Sequence, residues 1–134
     1  MVNILDLLGD RWSLVVIRDI FSGKKSFADF LNSPEKISTS VLTSRLKLME
    51  RAGITQHVLS KKDKKVKFYY LTDLGIDLFP IIYEMVHWSK RNFDKSFHDL
   101  AIKWFDRYNN LPADKVVKEN QETYKEKRSE LLEF

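Results

Sequence analysis

Two short apolar strands separated by a charged turn come directly after an amphipathic helix, and this order constrains the fold more than any other feature. Residues 54–60 (ITQHVLS) alternate in the manner of a strand, and VKFYYL at 66–71 is a second β-branched and aromatic segment. The charged turn KKDKK at 61–65 joins them, so an antiparallel hairpin is predicted. The preceding helix is predicted over 38–52, and Gly53 stops it.

Further helices surround this unit. Apolar residues at helical spacing predict a helix over 3–22, and SFADFL at 26–31 has the start signal of a short one. Another helix is predicted over 72–91, in which Pro80 should produce a kink. The predicted fold class is therefore mainly α with a small antiparallel β-hairpin and a C-terminal helical extension.

The helix over 38–52 has one apolar and one polar side. Leu42, Leu46 and Met49 form the side predicted to face the core. The other side carries short hydroxyls first and cations further along, which suits base edges and phosphates in a major groove about 12 Å wide. The alternative is an ordinary exposed helix. With the turn lysines, the predicted DNA-binding residues are Ser38, Thr39, Ser40, Thr43, Ser44, Lys47, Arg51, Lys61, Lys62, Lys64 and Lys65.

The distribution of charge favours the DNA-binding interpretation. Residues 36–67 hold nine lysines and arginines against two acidic residues, whereas the whole chain has a formal net charge of +4. Such a basic segment indicates an anionic partner, although a solvated charged face is the alternative. A polar helix followed by a lysine-tipped hairpin is a combination that grips duplex DNA, so the partner predicted is double-stranded DNA.

Five segments of the chain match, in order and spacing, the sequence pattern of one known family. They are LLGDRWSLVVIRDI (7–20), KSFADFL (25–31), ISTSVLTSRLKLMERAGI (37–54), YYLTDLG (69–75) and LFPIIYEMVHW (78–88). On these segments the chain resembles the HxlR-type winged helix-turn-helix regulators, a branch of the MarR-like bacterial regulators. The resemblance covers residues 4–92 and implies a winged helix-turn-helix DNA-binding domain over 1–92.

The resemblance also implies a transcriptional regulator that binds DNA as a homodimer, with the helix over 38–52 as its recognition helix. Asp10 stands where the family pattern has a glycine, and the chain has no cysteine. Some members sense quinones, aldehydes or oxidants through a cysteine, and this chain is not expected to work that way. The sequence identifies no small-molecule effector.

Residues 93–134 are predicted to be a helical extension that dimerises. The first half carries an aromatic stripe that needs burial, and the resemblance implies dimerisation through terminal helices. The predicted interface residues are Phe97, Leu100, Trp104, Phe105 and Tyr108. The second half has Val117, Tyr124 and Leu131 spaced by seven, a weak coiled-coil signal. The alternative is an extension that packs back on its own domain.

No catalytic, metal or cofactor site is predicted. The sequence has no Ser-His-Asp arrangement, glycine-rich phosphate loop or acidic metal cluster, and its three histidines are far apart. No apolar run approaches the roughly 18–20 residues that span a bilayer, so a cytoplasmic protein without a membrane partner is expected. The alternative function is a winged-helix protein-interaction module that binds an acidic partner. The polar side of residues 39–47 lacks the large apolar anchor expected of such a module.

Overall fold

A computed structural model describes residues 3–93, 107–108 and 111–133 of the chain. The chain is mostly helical with a two-stranded antiparallel sheet, which confirms the predicted fold class. In chain order the elements are α1 (Ile4–Leu8), α2 (Arg11–Phe21), α3 (Phe27–Leu31), α4 (Thr39–Arg51), β1 (Thr55–Leu59), β2 (Lys67–Leu71), α5 (Asp73–Ile76), α6 (Phe79–Asn92) and α7 (Ala113–Leu132).

The single helix predicted over 3–22 is wrong, because two helices meet at Asp10. The Asp10 carboxylate accepts hydrogen bonds from the backbone N–H groups of Trp12 (2.8 Å) and Ser13 (3.1 Å) and so N-caps α2. Leu7 of α1 is buried in the same core cluster as the apolar side of α2. The helix is interrupted at Asp10, but the apolar spacing continues from α1 into α2.

The predicted starts of α3 and α4 are confirmed. Ser26 and Asp29 form a capping box, in which the Ser26 hydroxyl accepts the Asp29 N–H and the Asp29 carboxylate accepts the Ser26 N–H, each at 3.1 Å. Ser38 N-caps α4. Gly53 follows this helix with a φ of 77°, a left-handed backbone conformation that glycine adopts without strain.

The predicted hairpin is present and forms the wing. Its strands pair in register from Thr55 opposite Leu71, both of which are buried, towards the exposed turn. The segment before α3 lies along the free edge of β2, since the Tyr69 N–H donates to the Lys25 carbonyl (2.7 Å). The wing is thus fixed at its base by the core and at one edge by the start of α3.

The helix predicted over 72–91 is also two helices, and the predicted kink at Pro80 is wrong. Thr72 caps the single turn of α5 by accepting the Gly75 N–H (3.2 Å). The longer helix α6 then begins at Phe79, with Pro80 in its first turn. A missing N–H costs no helical hydrogen bond there, so the proline starts a helix instead of bending one.

Helix α7 packs against the winged helix-turn-helix of its own chain. The Leu71 N–H at the end of β2 donates to Tyr124 Oη (2.9 Å), and Arg128 Nη1 donates to the Leu71 carbonyl (3.0 Å). Nearby, the Gln121 side-chain amide donates to the Ile76 carbonyl (3.1 Å). Helix α7 therefore packs on its own domain, which was the alternative to a dimerising extension.

The residues predicted to form the dimer interface lie in the first half of the extension. Four of its predicted residues lie outside the described part of the chain: Phe97, Leu100, Trp104 and Phe105. Tyr108 is described, and its side chain is buried with Phe79, Tyr83 and Val116 of the same chain. Little of the Tyr108 surface is left for a second protomer, and the assignment of this region to an interface stays a prediction.

The main core fixes the orientation of α4. The predicted core side of this helix is confirmed, because Leu42, Leu46 and Met49 are each at most 3% exposed. They belong to one cluster with Ile17 of α2 and Phe30 of α3. With its apolar side held in this way, the opposite side of α4 points away from the protein.

Candidate nucleic-acid interface

The outer side of α4 brings together hydroxyl and basic residues that the sequence predicts to contact DNA. All six are exposed, and they line a shallow depression of about 500 Å³. They are Thr39, Ser40, Thr43, Ser44, Lys47 and Arg51. The short side chains lie in the first turns and the cations in the later ones, so base edges and phosphates could be contacted by different parts of one helix.

The hydroxyls on this side are only partly used within the chain. Thr43 Oγ1 donates to the Thr39 carbonyl one turn earlier (2.8 Å), and Ser44 Oγ accepts from Arg45 Nη1 (3.3 Å). Each hydroxyl combines one donor with two acceptor lone pairs, so capacity for an outside partner remains. Ser38 differs, because its Oγ accepts a backbone N–H as the N-cap of α4.

An ion pair that the sequence does not predict ties α4 to the start of α2. Arg45 Nε lies 3.0 Å from Asp10 Oδ2, and both side chains are roughly one-third exposed (28% and 32%). Asp10 thus caps α2 and also holds α4. No spacing pattern could have revealed the pair, because the partners are distant in sequence; the one signal was an acidic residue in place of a family glycine.

A second unpredicted network fixes the turn that leads into α4. The Arg18 guanidinium donates to both carboxylate oxygens of Glu35 (2.7 and 2.8 Å) and also to Asp19 (2.9 Å). The hydrogen bond from Arg18 lowers the pKa of Glu35 to about 2, so this carboxylate is ionised at neutral pH. Lys36, the next residue, has a positive φ of 57°. The bidentate contact therefore anchors the tight turn before α4.

The wing presents the predicted lysines around a hydrogen-bonded turn. The Asp63 carboxylate accepts the Lys65 N–H (3.0 Å), and the Ser60 N–H donates to the Val66 carbonyl (2.8 Å). Lys61 Nζ reaches the carbonyl at the end of the C-terminal helix, that of Glu133 (3.4 Å). All four predicted wing lysines are exposed: Lys61, Lys62, Lys64 and Lys65.

His57 connects α4 to the wing. Its Nδ1 is hydrogen-bonded to Glu50 Oε1 of α4, and its ring packs beside Tyr69 on the partner strand, with centroids 5.5 Å apart. Burial, with a smaller contribution from the Glu50 carboxylate, raises the pKa of Tyr69. The contact between His57 and Glu50 joins α4 to β1 of the wing.

Within residues 3–93, 107–108 and 111–133, no group of three or more His, Asp or Glu side chains is placed to hold a metal ion. No helix in the described parts of the chain has the length and apolar character needed to cross a bilayer.

Comparison with known proteins identifies the family. The HxlR-like helix-turn-helix family matches residues 7–97. The Bacillus subtilis (strain 168) HTH-type transcriptional regulator YdeP is 31% identical over 91 residues, which cover 68% of this chain and 71% of that protein. YodB, an HTH-type transcriptional regulator of the same strain, is 33% identical over 90 residues, 66% of this chain and 80% of the relative. The chain spans about half (53%) of the length of three mycobacterial relatives that it matches.

Solved structures agree in fold. The redox regulator HypR in its oxidized form has a TM-score of 0.60 at 30% identity, covering 69% of this chain and 95% of HypR. The reduced form of YodB has a TM-score of 0.57 at 28% identity, covering 70% and 92%. YdeP and YodB are named as HTH-type transcriptional regulators, and HypR as a redox regulator. The chain belongs to the HxlR-like helix-turn-helix family of DNA-binding transcriptional regulators.

Proposed function

We propose that this chain binds double-stranded DNA sequence-specifically as a homodimer, with α4 in the major groove and the lysine-rich wing on the phosphate backbone. The observation that carries the proposal is the row of six exposed hydroxyl and basic residues on the outer side of α4. The opposite side of this helix is held by the core and by the Arg45–Asp10 ion pair.

The arrangement supports different DNA contacts for α4 and for the wing. A helix with short side chains can approach base edges closely, and its hydroxyls can donate and accept. The wing lysines carry charge without bulk at the end of a hairpin, which suits phosphate contacts that set position but not sequence. The alternative of a protein-interaction module gains no support, because none of the six exposed residues is apolar.

The groove-contacting role of α4 is tested with Thr43→Val, which removes a hydroxyl and keeps the shape of the side chain. Duplexes selected from a random library by the unaltered protein should bind the variant more weakly by about 1 kcal/mol, or roughly fivefold. Fluorescence anisotropy at fixed salt measures the change. The loss should concern one or two base positions, whereas random duplexes should bind both proteins alike.

Thr123→Val on the exposed side of α7 is the matched control and should leave DNA affinity unchanged. Equal affinity of Thr43→Val and Thr123→Val for every selected duplex would refute the assignment of Thr43 to the base-reading face.

An apolar stripe on α6 supports the homodimer. Ile81, Met85 and Trp88 recur at i, i+4 and i+7 and are 40%, 49% and 52% exposed. Helix α1 also carries two exposed apolar residues, Ile4 and Leu5. Large apolar side chains in such a stripe are typical of an interface, and two protomers would place two recognition helices about 34 Å apart, one helical turn of DNA.

Met85→Lys should disrupt this interface, because an ammonium would be buried against apolar surface. We expect the dimer to dissociate at least about tenfold more readily, measured by sedimentation equilibrium. Asp77→Lys, which places the same side chain at an exposed position before α6, is the control. The homodimer proposal fails if the unaltered chain sediments as a monomer, and the interface proposal fails if both variants dimerise equally.

A further inference from the structure

A cleft of about 750 Å³ lies behind the wing. One wall is the turn after α2, including Gly23 and Lys24; the second is the half of the wing nearer its turn, from Val58 to Lys62 with Phe68 and Tyr69; the third is the last part of α7, from Tyr124 onwards. The family match ends at residue 97, so the α7 wall belongs to a part of the chain outside that match.

The floor of the cleft is apolar. Val58 and Phe68 are directly opposite each other in the sheet register, so their side chains emerge on the same face, and both are half-buried. Leu131 of α7 is also half-buried and lines the same space, and the buried ring of Tyr124 closes one end. A ligand with a flat apolar body would cover surface that water now contacts.

The rim of the cleft is cationic. The lining residues include six lysines and arginines but two glutamates. Lys25 Nζ lies 4.5 Å from the centre of the Phe68 ring, so a cation sits directly beside the aromatic floor. Lys127 Nζ faces Gly23 from across the cleft: a Cβ built on this glycine would be 4.0 Å from it. The walls thus bring positive charge to the apolar space from more than one element.

We propose that this cleft binds a small organic monoanion with an apolar, preferably aromatic, body, and that binding lowers DNA affinity. The apolar body would lie on Val58 and Phe68, and the anionic group would lie between the lysines of the rim. Glu130 and Glu133 lie on the α7 wall and would repel an anionic group placed beside them, so the proposal is limited to a ligand with a single anionic group at the lysines of the rim.

The coupling to DNA follows from shared residues and rests on the DNA-binding function proposed above. Lys61 and Lys62 line the cleft and are also wing lysines assigned to the DNA backbone. An anion in the cleft would neutralise part of the charge that these side chains offer to phosphates. It would also act on the contact that joins Lys61 to the end of α7 at Glu133.

The binding half of the proposal is tested without DNA. Isothermal titration calorimetry with 2-naphthoate should give a Kd of about 1 mM or tighter, whereas the neutral analogue naphthalen-2-ylmethanol should bind at least about tenfold more weakly. Lys127→Glu should weaken naphthoate binding at least about fivefold. Lys118→Glu, the same charge change at an exposed position of α7 outside the cleft, should not. Equal binding of the acid and the alcohol, equal effects of the two variants, or no binding of naphthoate at about 1 mM would overturn the proposal.

The regulatory half is tested with selected duplex at matched ionic strength. Naphthoate near saturation should raise the Kd for DNA at least about threefold in the unaltered protein and leave that of Lys127→Glu unchanged. Bound naphthoate with no change in DNA affinity would overturn the coupling. A chain that binds naphthoate in the cleft but no duplex at all would refute the DNA-binding function while leaving the cleft in place, so the two failures are distinguishable.

Discussion

Replacing Tyr124 by alanine should lower the free energy of unfolding by about 3–5 kcal/mol. The side chain is 5% exposed and lies edge-on to Phe21, with ring centroids 5.3 Å apart. Truncation would leave a cavity between α7 and the core and would also leave the Leu71 N–H without its acceptor. For a chain of this size, the melting temperature should fall by about 10–20 °C.

Two matched variants separate the parts of this effect. Tyr124→Phe keeps the ring and removes the hydroxyl, so it should cost about 1–3 kcal/mol through the unsatisfied Leu71 N–H. Lys125→Ala changes the neighbouring exposed residue and should stay within about 0.5 kcal/mol of the unaltered chain. Urea unfolding followed by circular dichroism measures all three. If Tyr124→Ala were as stable as Lys125→Ala, α7 could not be packed on the end of β2.

The packing of α7 marks the boundary between what the sequence predicts of the fold and what it does not. The spacing of Val117, Tyr124 and Leu131 is compatible with a partner helix in another protomer or with the chain's own core. What decides is a set of polar contacts, from Tyr124 and Arg128 to the backbone of Leu71, that join residues more than 50 positions apart. Such contacts follow from the tertiary fold and leave no periodic signal.

The helix boundaries show the same distinction between local and tertiary information. The caps at Ser26, Ser38 and Thr72 were predictable because each acts within three residues of its own position. The breaks at Asp10 and before Phe79 were not, since helices on both sides of each break bury residues in the described cores and keep an apolar spacing. An apolar spacing that continues across a break therefore predicts one helix where the structure has two.

The exposed side of α4 was predictable for a related reason. Because Leu42, Leu46 and Met49 face the core, the opposite side of the helix must face solvent. The rotation of about 100° per residue places the polar residues on that opposite side. Two contacts that orient this helix could not be found in that way: the ion pair of Arg45 with Asp10 and the hydrogen bond between Glu50 and His57. They set how α4 is held relative to α2 and the wing, a property of the assembled fold.

Affinity for DNA should fall steeply with salt, and this is the largest effect that we expect. Each phosphate contact contributes roughly −0.9 to the slope of log K against log salt. Lys47 and Arg51 of α4 with three exposed wing lysines, Lys62, Lys64 and Lys65, would give a slope of about −4 to −5 per protomer. A dimer with both protomers on DNA should lose about 10⁵-fold in affinity between about 50 and 200 mM salt.

The contribution of the wing to this slope is measured by neutralising two of the wing lysines. Lys62→Gln together with Lys64→Gln should weaken binding to selected and random duplexes alike, because phosphate contacts carry no sequence information. The slope should become less negative by about 2 per protomer. Lys115→Gln together with Lys118→Gln, at exposed positions of α7, removes the same charge away from the wing and is the control.

The two double variants distinguish a wing that touches DNA from a general effect of net charge. If binding depended only on the overall positive charge of the protein, both double variants would lower the affinity for DNA equally. Neither would then change the salt slope by the roughly 0.9 expected for each lost phosphate contact. If the wing lies on the backbone, only the wing pair changes the slope, and it does so for every sequence. A slope near zero for the unaltered protein would instead mean that the cations of α4 and the wing face solvent, and the proposed mode of DNA binding would then be wrong.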